Sequence, residues 1–136
     1  MKKVNILSLL IPKNNVACLD NSMTFRQGLE KMKAHKYAAI PIVDNESGIY
    51  LGTISEGDLL WKIVNDDEFD LKGSEDIPIT SIVRNDYMYA CTVDTDFDEL
   101  VKRVTQQNFV PIVDDRGILM GIITRKALIN HLLENK

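Results

Sequence analysis

The chain carries most of itself twice. Tyr37-Ala38-Ala39-Ile40-Pro41-Ile42-Val43-Asp44 returns as Asn108-Phe109-Val110-Pro111-Ile112-Val113-Asp114, with Pro41 and Pro111 70 positions apart. Each copy runs through a turn holding a glycine, Asn45-Glu46-Ser47-Gly48 or Asp115-Arg116-Gly117. An apolar stretch with a second glycine follows, Ile49-Tyr50-Leu51-Gly52-Thr53-Ile54-Ser55 or Ile118-Leu119-Met120-Gly121-Ile122-Ile123-Thr124. Upstream, Phe25 to Met32 matches Phe97 to Val104 at an offset of 72, so the second copy has lost two residues before its proline. Self-similarity at a fixed spacing marks a repeated supersecondary unit. At 136 residues, two copies make one module of ordinary domain size.

Hydrophobic spacing gives both copies the same order of elements. Thr24 to His35 carries Phe25, Gly28, Leu29 and Met32 three and four apart, and Asp96 to Gln107 repeats this with Phe97, Leu100, Val101 and Val104. Both read as amphipathic helices. The β-branched runs flanking each turn read as hairpin strands. Second helices are expected over Glu56 to Val64 and Arg125 to Leu133, so each copy is β-α-β-β-α. Between the copies, Asn65 to Ile77 holds six acids against Lys72 alone and reads as a solvated or partly helical linker. The expected boundaries are residues 1–64, 65–77 and 78–136. The fold class is α/β, with the copies packed sheet to sheet because a three-stranded sheet with helices on one side leaves its other face apolar. Two equivalent clefts between the copies would follow.

Composition narrows the partners. The net charge is -4, and no block of lysine and arginine offers the footprint of a nucleic-acid polymer. The linker accounts for this acidity, since the rest of the chain carries 15 cations against 14 acids. Cys18 and Cys91 lack metal-ligand spacing and read as buried small apolar residues in a reducing cytosol. No signal peptide or membrane span is expected, because Ile6 to Ile11 is short and closed by Pro12 and Lys13. Asp94-Thr95-Asp96-Phe97-Asp98 begins like a calcium loop, but its sixth position is Glu99 and its twelfth Thr105, which excludes that reading. Asp94 or Thr95 is expected to cap the helix that follows. With no nucleophile elbow, phosphate-binding Walker loop or Cys-His pair, the chain does not read as an enzyme.

The doubled motif, Pro-Ile-Val-Asp, a turn glycine, then Gly-x-x-Ser/Thr, resembles a tandem pair of CBS domains, the Bateman module, over essentially the whole chain. This resemblance implies a cytoplasmic regulatory module without catalysis, binding adenosine-containing ligands in its two clefts, dimerising into a disc and acting on a partner protein in trans. It also implies that Ser/Thr-x-x-Asp at the start of each last helix offers its hydroxyl to phosphate and its carboxylate to ribose. Ser55-Glu56-Gly57-Asp58 fits that pattern. The same spacing is a helix capping box that needs no ligand, and the two roles are compatible. In the second copy the segment is Thr124-Arg125-Lys126-Ala127, which keeps the hydroxyl and loses the carboxylate. Arg125 and Lys126 at a helix start either meet an anion or form an ordinary solvated turn.

Tyr37, Ala38, Ala39 and Ile40 in one copy, and Gln107, Asn108 and Phe109 in the other, are the implied adenine-side residues. Core packing is the competing account of Ile40, Phe109 and Val110. Tyr37 and Ala38 are expected to face Thr124, Arg125 and Lys126, with Gln107 and Asn108 facing Ser55 and Asp58. Thr53, Thr80 and Ile122 complete the candidates. The combination of the aromatic-Ala-Ile-Pro stretch in the first copy with the shortened Asn108-Phe109-Val110 loop and Thr124-Arg125-Lys126 in the second is similar to small stand-alone CBS-pair proteins that bind cyclic di-AMP, a ligand whose 3' oxygens are esterified and which needs no diol-binding carboxylate. The ligand therefore stands open among AMP, ADP, ATP and cyclic di-AMP, and a ligand-free dimerisation scaffold is the alternative. Trp61, on the helix that forms the disc interface in the family, reads either as a dimer contact or as packing within its own copy.

Overall fold

In the computed structural model, which describes residues 5–84 and 88–135, the chain alternates short strands with helices. The order is β1 (Ile11–Pro12), β2 (Leu19–Asp20), α1 (Phe25–His35), β3 (Ala39–Val43), β4 (Tyr50–Ser55), α2 (Glu56–Asn65), α3 (Phe97–Gln106), β5 (Phe109–Val113), β6 (Leu119–Thr124) and α4 (Arg125–Glu134). Short 3-10 turns at Ile6–Leu9, Lys13–Asn15, Gly73–Asp76 and Ile79–Ile82 complete it. All four expected helices form within a residue or two of their predicted ends.

The repeat is visible in the hydrogen-bond register. Strands β3 and β4 pair antiparallel from Ala39 opposite Ser55 to Ile42 opposite Gly52; β5 and β6 do the same from Phe109 opposite Thr124 to Ile112 opposite Gly121. Both ladders shift at the same place, between Ile42 and Val43 and between Ile112 and Val113. Opening strand β2 lies parallel to β3, with Leu19 opposite Ile42. In the second copy that strand is reduced to one parallel bridge, Cys91 to Ile112.

Packing partitions the chain differently from the sequence repeat. One compact unit is Ala17–Tyr87; the other joins Met1–Val16 to Met88–Lys136. Strand β1 precedes the first copy, yet it pairs antiparallel with β6, Ile11 opposite Ile122 and Pro12 opposite Gly121. Ile6 and Leu9 accordingly fill a core with Leu100, Val104, Val110, Ile112, Ile123 and Leu128. In the other unit, Ile79 joins Leu19, Phe25, Met32, Ile40, Ile42, Ile54 and Leu59. The acidic stretch is tied down rather than free. Phe69 stands edge-on to Phe25 at 5.3 Å, Ser74 is fully buried, and Arg26 pairs with Glu75 at 2.8 Å.

Local chemistry explains the element ends. Thr24 caps α1 by a reciprocal box with Gln27, at 3.2 Å from the Gln27 N–H and 2.9 Å from its side-chain oxygen to the Thr24 N–H. Asp44 and Asp114 close the hairpin turns as acceptors. The Ser47 N–H, then the Ser47 hydroxyl and the Asn21 amide, hold the Asp44 carboxyl below its usual range; the Ile118 N–H leads the same effect at Asp114. The expected capping of α3 by Asp94 or Thr95 is not what forms. Thr95 turns its hydroxyl to the Thr92 N–H at 3.0 Å, and Asp96 occupies the cap position without a side-chain cap bond. Cys91 is buried, and that burial pushes its thiol pKa up, whereas Cys18 is only half-buried, contrary to the expectation for it.

The β1–β6 pairing depends on Gly121. Its φ is 158°, and a Cβ there would stand 2.1 Å from the Ile11 carbonyl oxygen. Because the obstacle is backbone, it cannot rotate away. Gly121→Ala is expected to destabilise the protein by at least about 2 kcal/mol, from backbone strain and displacement of β1, measured as a lowered urea midpoint.

Candidate functional site

The start of α2 is built where β4 ends. The ladder sets Ser55 beside Ala39, and the Glu56 N–H donates to the Ala38 carbonyl at 2.9 Å, fixing where the helix begins. The Ser55 hydroxyl accepts the Asp58 N–H at 3.1 Å. In return, one Asp58 oxygen accepts the Ser55 N–H at 2.8 Å and its hydroxyl at 3.0 Å. The other oxygen forms an ion pair with Arg84, 2.7 Å from its Nε, and the Asp58 side chain is 8% exposed. Capping thus occupies one carboxylate oxygen and an ion pair the other. Arg84 was absent from the expected set. Its signal in the sequence is weak: Val83-Arg84 stands 73 positions after Leu10-Ile11, so it matters only once that segment is known to reach a sheet.

The start of α4 solves the same problem with different residues. Thr124 Oγ1 accepts the Ala127 N–H at 3.1 Å, but Ala127 has nothing to return to the Thr124 N–H. Arg125 Nε donates to the Val104 carbonyl at 2.8 Å. Val104 lies in the last turn of α3, where carbonyls lack helical partners and a cation is favoured. The penalty for a cation at the start of α4 is therefore offset at the end of α3. Lys126 is exposed beside it.

Several other expected site residues serve the interior. Ile40 is fully buried, and Ala39, Phe109 and Ile122 are buried in the sheets. Thr53 is buried with its hydroxyl 2.6 Å from the Tyr50 hydroxyl. Gln107 works as a clamp: its amide nitrogen donates to the Tyr89 and Phe109 carbonyls, each at 3.0 Å, and its oxygen accepts the Tyr89 N–H at 3.1 Å. Tyr37 is half-buried in a groove of about 500 Å³ between α1 and α2, beside Met32, Leu59, Leu60 and Ile63. Ala38, Thr80 and Asn108 are exposed. No cluster of His, Cys, Asp or Glu among the described residues is placed to hold a metal ion, and none of their helices is long and apolar enough to cross a membrane.

A model of the CBS domain matches residues 9–65 and again residues 75–134. The chain belongs to the CBS-domain family. An uncharacterized protein of Methanopyrus kandleri is 30% identical to this CBS pair over 101 residues, which are 73% of the chain and 48% of that protein, so the match spans about half the relative's length. The fold is shared with CbpB of Listeria monocytogenes, solved in complex with c-di-AMP, at a TM-score of 0.85 and 19% identity over 97% of each chain. It is shared also with CBSX2 solved in complex with AMP, at a TM-score of 0.77 and 20% identity over 96% of each chain. At these identities the likeness is one of fold.

The Gln107 clamp can be tested apart from any ligand. Gln107→Leu keeps the bulk but leaves the Tyr89 N–H and two carbonyls without their partner. A loss of about 1–3 kcal/mol in chemical denaturation is expected.

Proposed function

We propose that this CBS pair is a cytoplasmic regulatory module that binds an adenine nucleotide, forms homodimers and signals its occupancy to a partner protein in trans, without catalysis of its own. The observation that carries this reading is the start of α4. There Thr124, Arg125 and Lys126 gather a hydroxyl and two cations at a positive helix end, and Arg125, an exposed residue, is held through its Nε at the Val104 carbonyl. Such a group suits a phosphate, because a guanidinium fork and helix N–H groups both donate to anions. The adenine part rests on family membership and on the similar folds solved with AMP and with c-di-AMP.

The two copies ask for different sugars. Ser55 with Asp58 suits a free ribose diol, as in AMP, ADP or ATP, since a carboxylate accepts from both vicinal hydroxyls. Thr124-Arg125-Lys126, with Ala127 in place of the carboxylate, suits cyclic di-AMP. Calorimetric titration should give binding by at least one of AMP, ATP or cyclic di-AMP. Arg125→Ala should weaken cyclic di-AMP about tenfold, and equal affinity in variant and parent would remove α4 from the site. No heat from any of these ligands would leave the scaffold reading in its place.

Homodimerisation has its own support. Leu60, Trp61 and Val64 on α2 are 58%, 62% and 57% exposed, and Ile129, Leu132 and Leu133 on α4 are 55%, 45% and 65% exposed. Equivalent helices of both copies thus carry apolar side chains to the surface, as interface helices do. Trp61→Asp combined with Leu133→Asp should convert a dimer to monomer in sedimentation equilibrium, while a protein that is monomeric before substitution would refute the dimer.

A further inference from the structure

Asp58 is assigned to ribose in the reading above, yet its carboxylate is already engaged. Of its three polar contacts among the described residues, two are hydrogen bonds from Ser55 and belong to the β4–α2 junction, where neighbouring backbone fixes them. The third comes from Arg84, far away in the chain, whose side chain is 49% exposed while that of Asp58 is 8% exposed. The bond that can yield is therefore the one to Arg84. A half-exposed ion pair is worth little and breaks readily, whereas a guanidinium meets a phosphate through two parallel bonds.

We propose that Arg84 is an exchangeable latch on Asp58: a ligand phosphate takes the guanidinium, and the carboxylate oxygen so released accepts the sugar hydroxyls. This inference rests on the nucleotide-binding reading and adds a specificity rule to it. A nucleoside must break the ion pair while giving Arg84 nothing in return, so this copy discriminates by phosphate even though its carboxylate contacts sugar. The other copy supports the pairing of roles. At the positions matching Arg84 and Asp58 it has Ile11 and Ala127, so latch and carboxylate are present together or missing together.

The test is titration of adenosine, AMP and cyclic di-AMP into the parent protein, Arg84→Ala and Arg84→Lys. In Arg84→Ala the affinity for AMP should fall about tenfold, while that for cyclic di-AMP, assigned to the other copy, should hold. Affinity for adenosine should hold or rise, because Asp58 is already free. Arg84→Lys should recover part of the phosphate ligand's affinity, and its ratio decides the matter should the alanine variant fail to fold. An equal loss for adenosine and the phosphate ligand would mark Arg84 as a structural partner of Asp58 and overturn the latch, as would no change in either. Should the parent bind none of the three, nor ATP, the nucleotide reading fails and the latch with it. Should the parent bind and the ratio stay fixed, the latch alone fails.

Discussion

One close approach governs each half of the molecule: a stretch of chain lying directly over a glycine in a sheet. In one unit the Ile11 carbonyl sits where a Gly121 side chain would begin, and in the other the Val83 side chain lies over Gly52, 2.6 Å from where a Cβ would stand. Each glycine has a φ that other residues rarely adopt, 149° at Gly52 and 158° at Gly121. These contacts recruit the segment that precedes one copy into the unit built by the other. They also deliver function-bearing side chains, because Arg84 follows Val83 directly and reaches Asp58 from there.

A second constraint acts at the helix starts. Any helix leaves its first N–H groups without helical acceptors, and α2 and α4 both begin immediately after a strand, with a hydroxyl at the cap position. At α2 the cap is reciprocal, and its carboxylate brings a negative charge that Arg84 balances. At α4 the return bond is missing, and the charge at the helix start is positive. The same backbone geometry thus carries a carboxylate at the helix start in one copy and two cations in the other. Divergence between the copies is confined to a few side chains, while the shared ladder register keeps their backbones alike.

Much of this was legible because repetition and periodicity are local. The helices, the hairpins and the Ser55-Asp58 box all follow from residues within a few positions of one another. What escaped is non-local. Nothing in the spacing of Ile11 and Pro12 says that they join β6, seen only when the absence of a Cβ at Gly121 is set beside the Ile11 carbonyl. Gln107 was read as facing a ligand because it precedes the Phe-Val-Pro strand, but its amide bridges Tyr89 and Phe109 instead. Ile40 is buried as its core-packing account has it, and Thr53 is buried too, since alternation along a strand does not reveal which face ends inside when both are apolar.

The two arginines near the helix starts make the case for unequal copies. Arg84 is anchored to a carboxylate and Arg125 to the Val104 carbonyl. A carboxylate is a charged acceptor that competes directly with phosphate, so an incoming anion must displace it and the displaced group then becomes available. A helix-end carbonyl is neutral, binds Nε alone, and leaves the rest of the guanidinium able to bind an anion without surrendering its anchor. The first arrangement couples two recognition events and the second does not. Under the proposed function, equal backbones with unequal anchors would give one copy a conditional response to phosphate and the other a standing affinity for it.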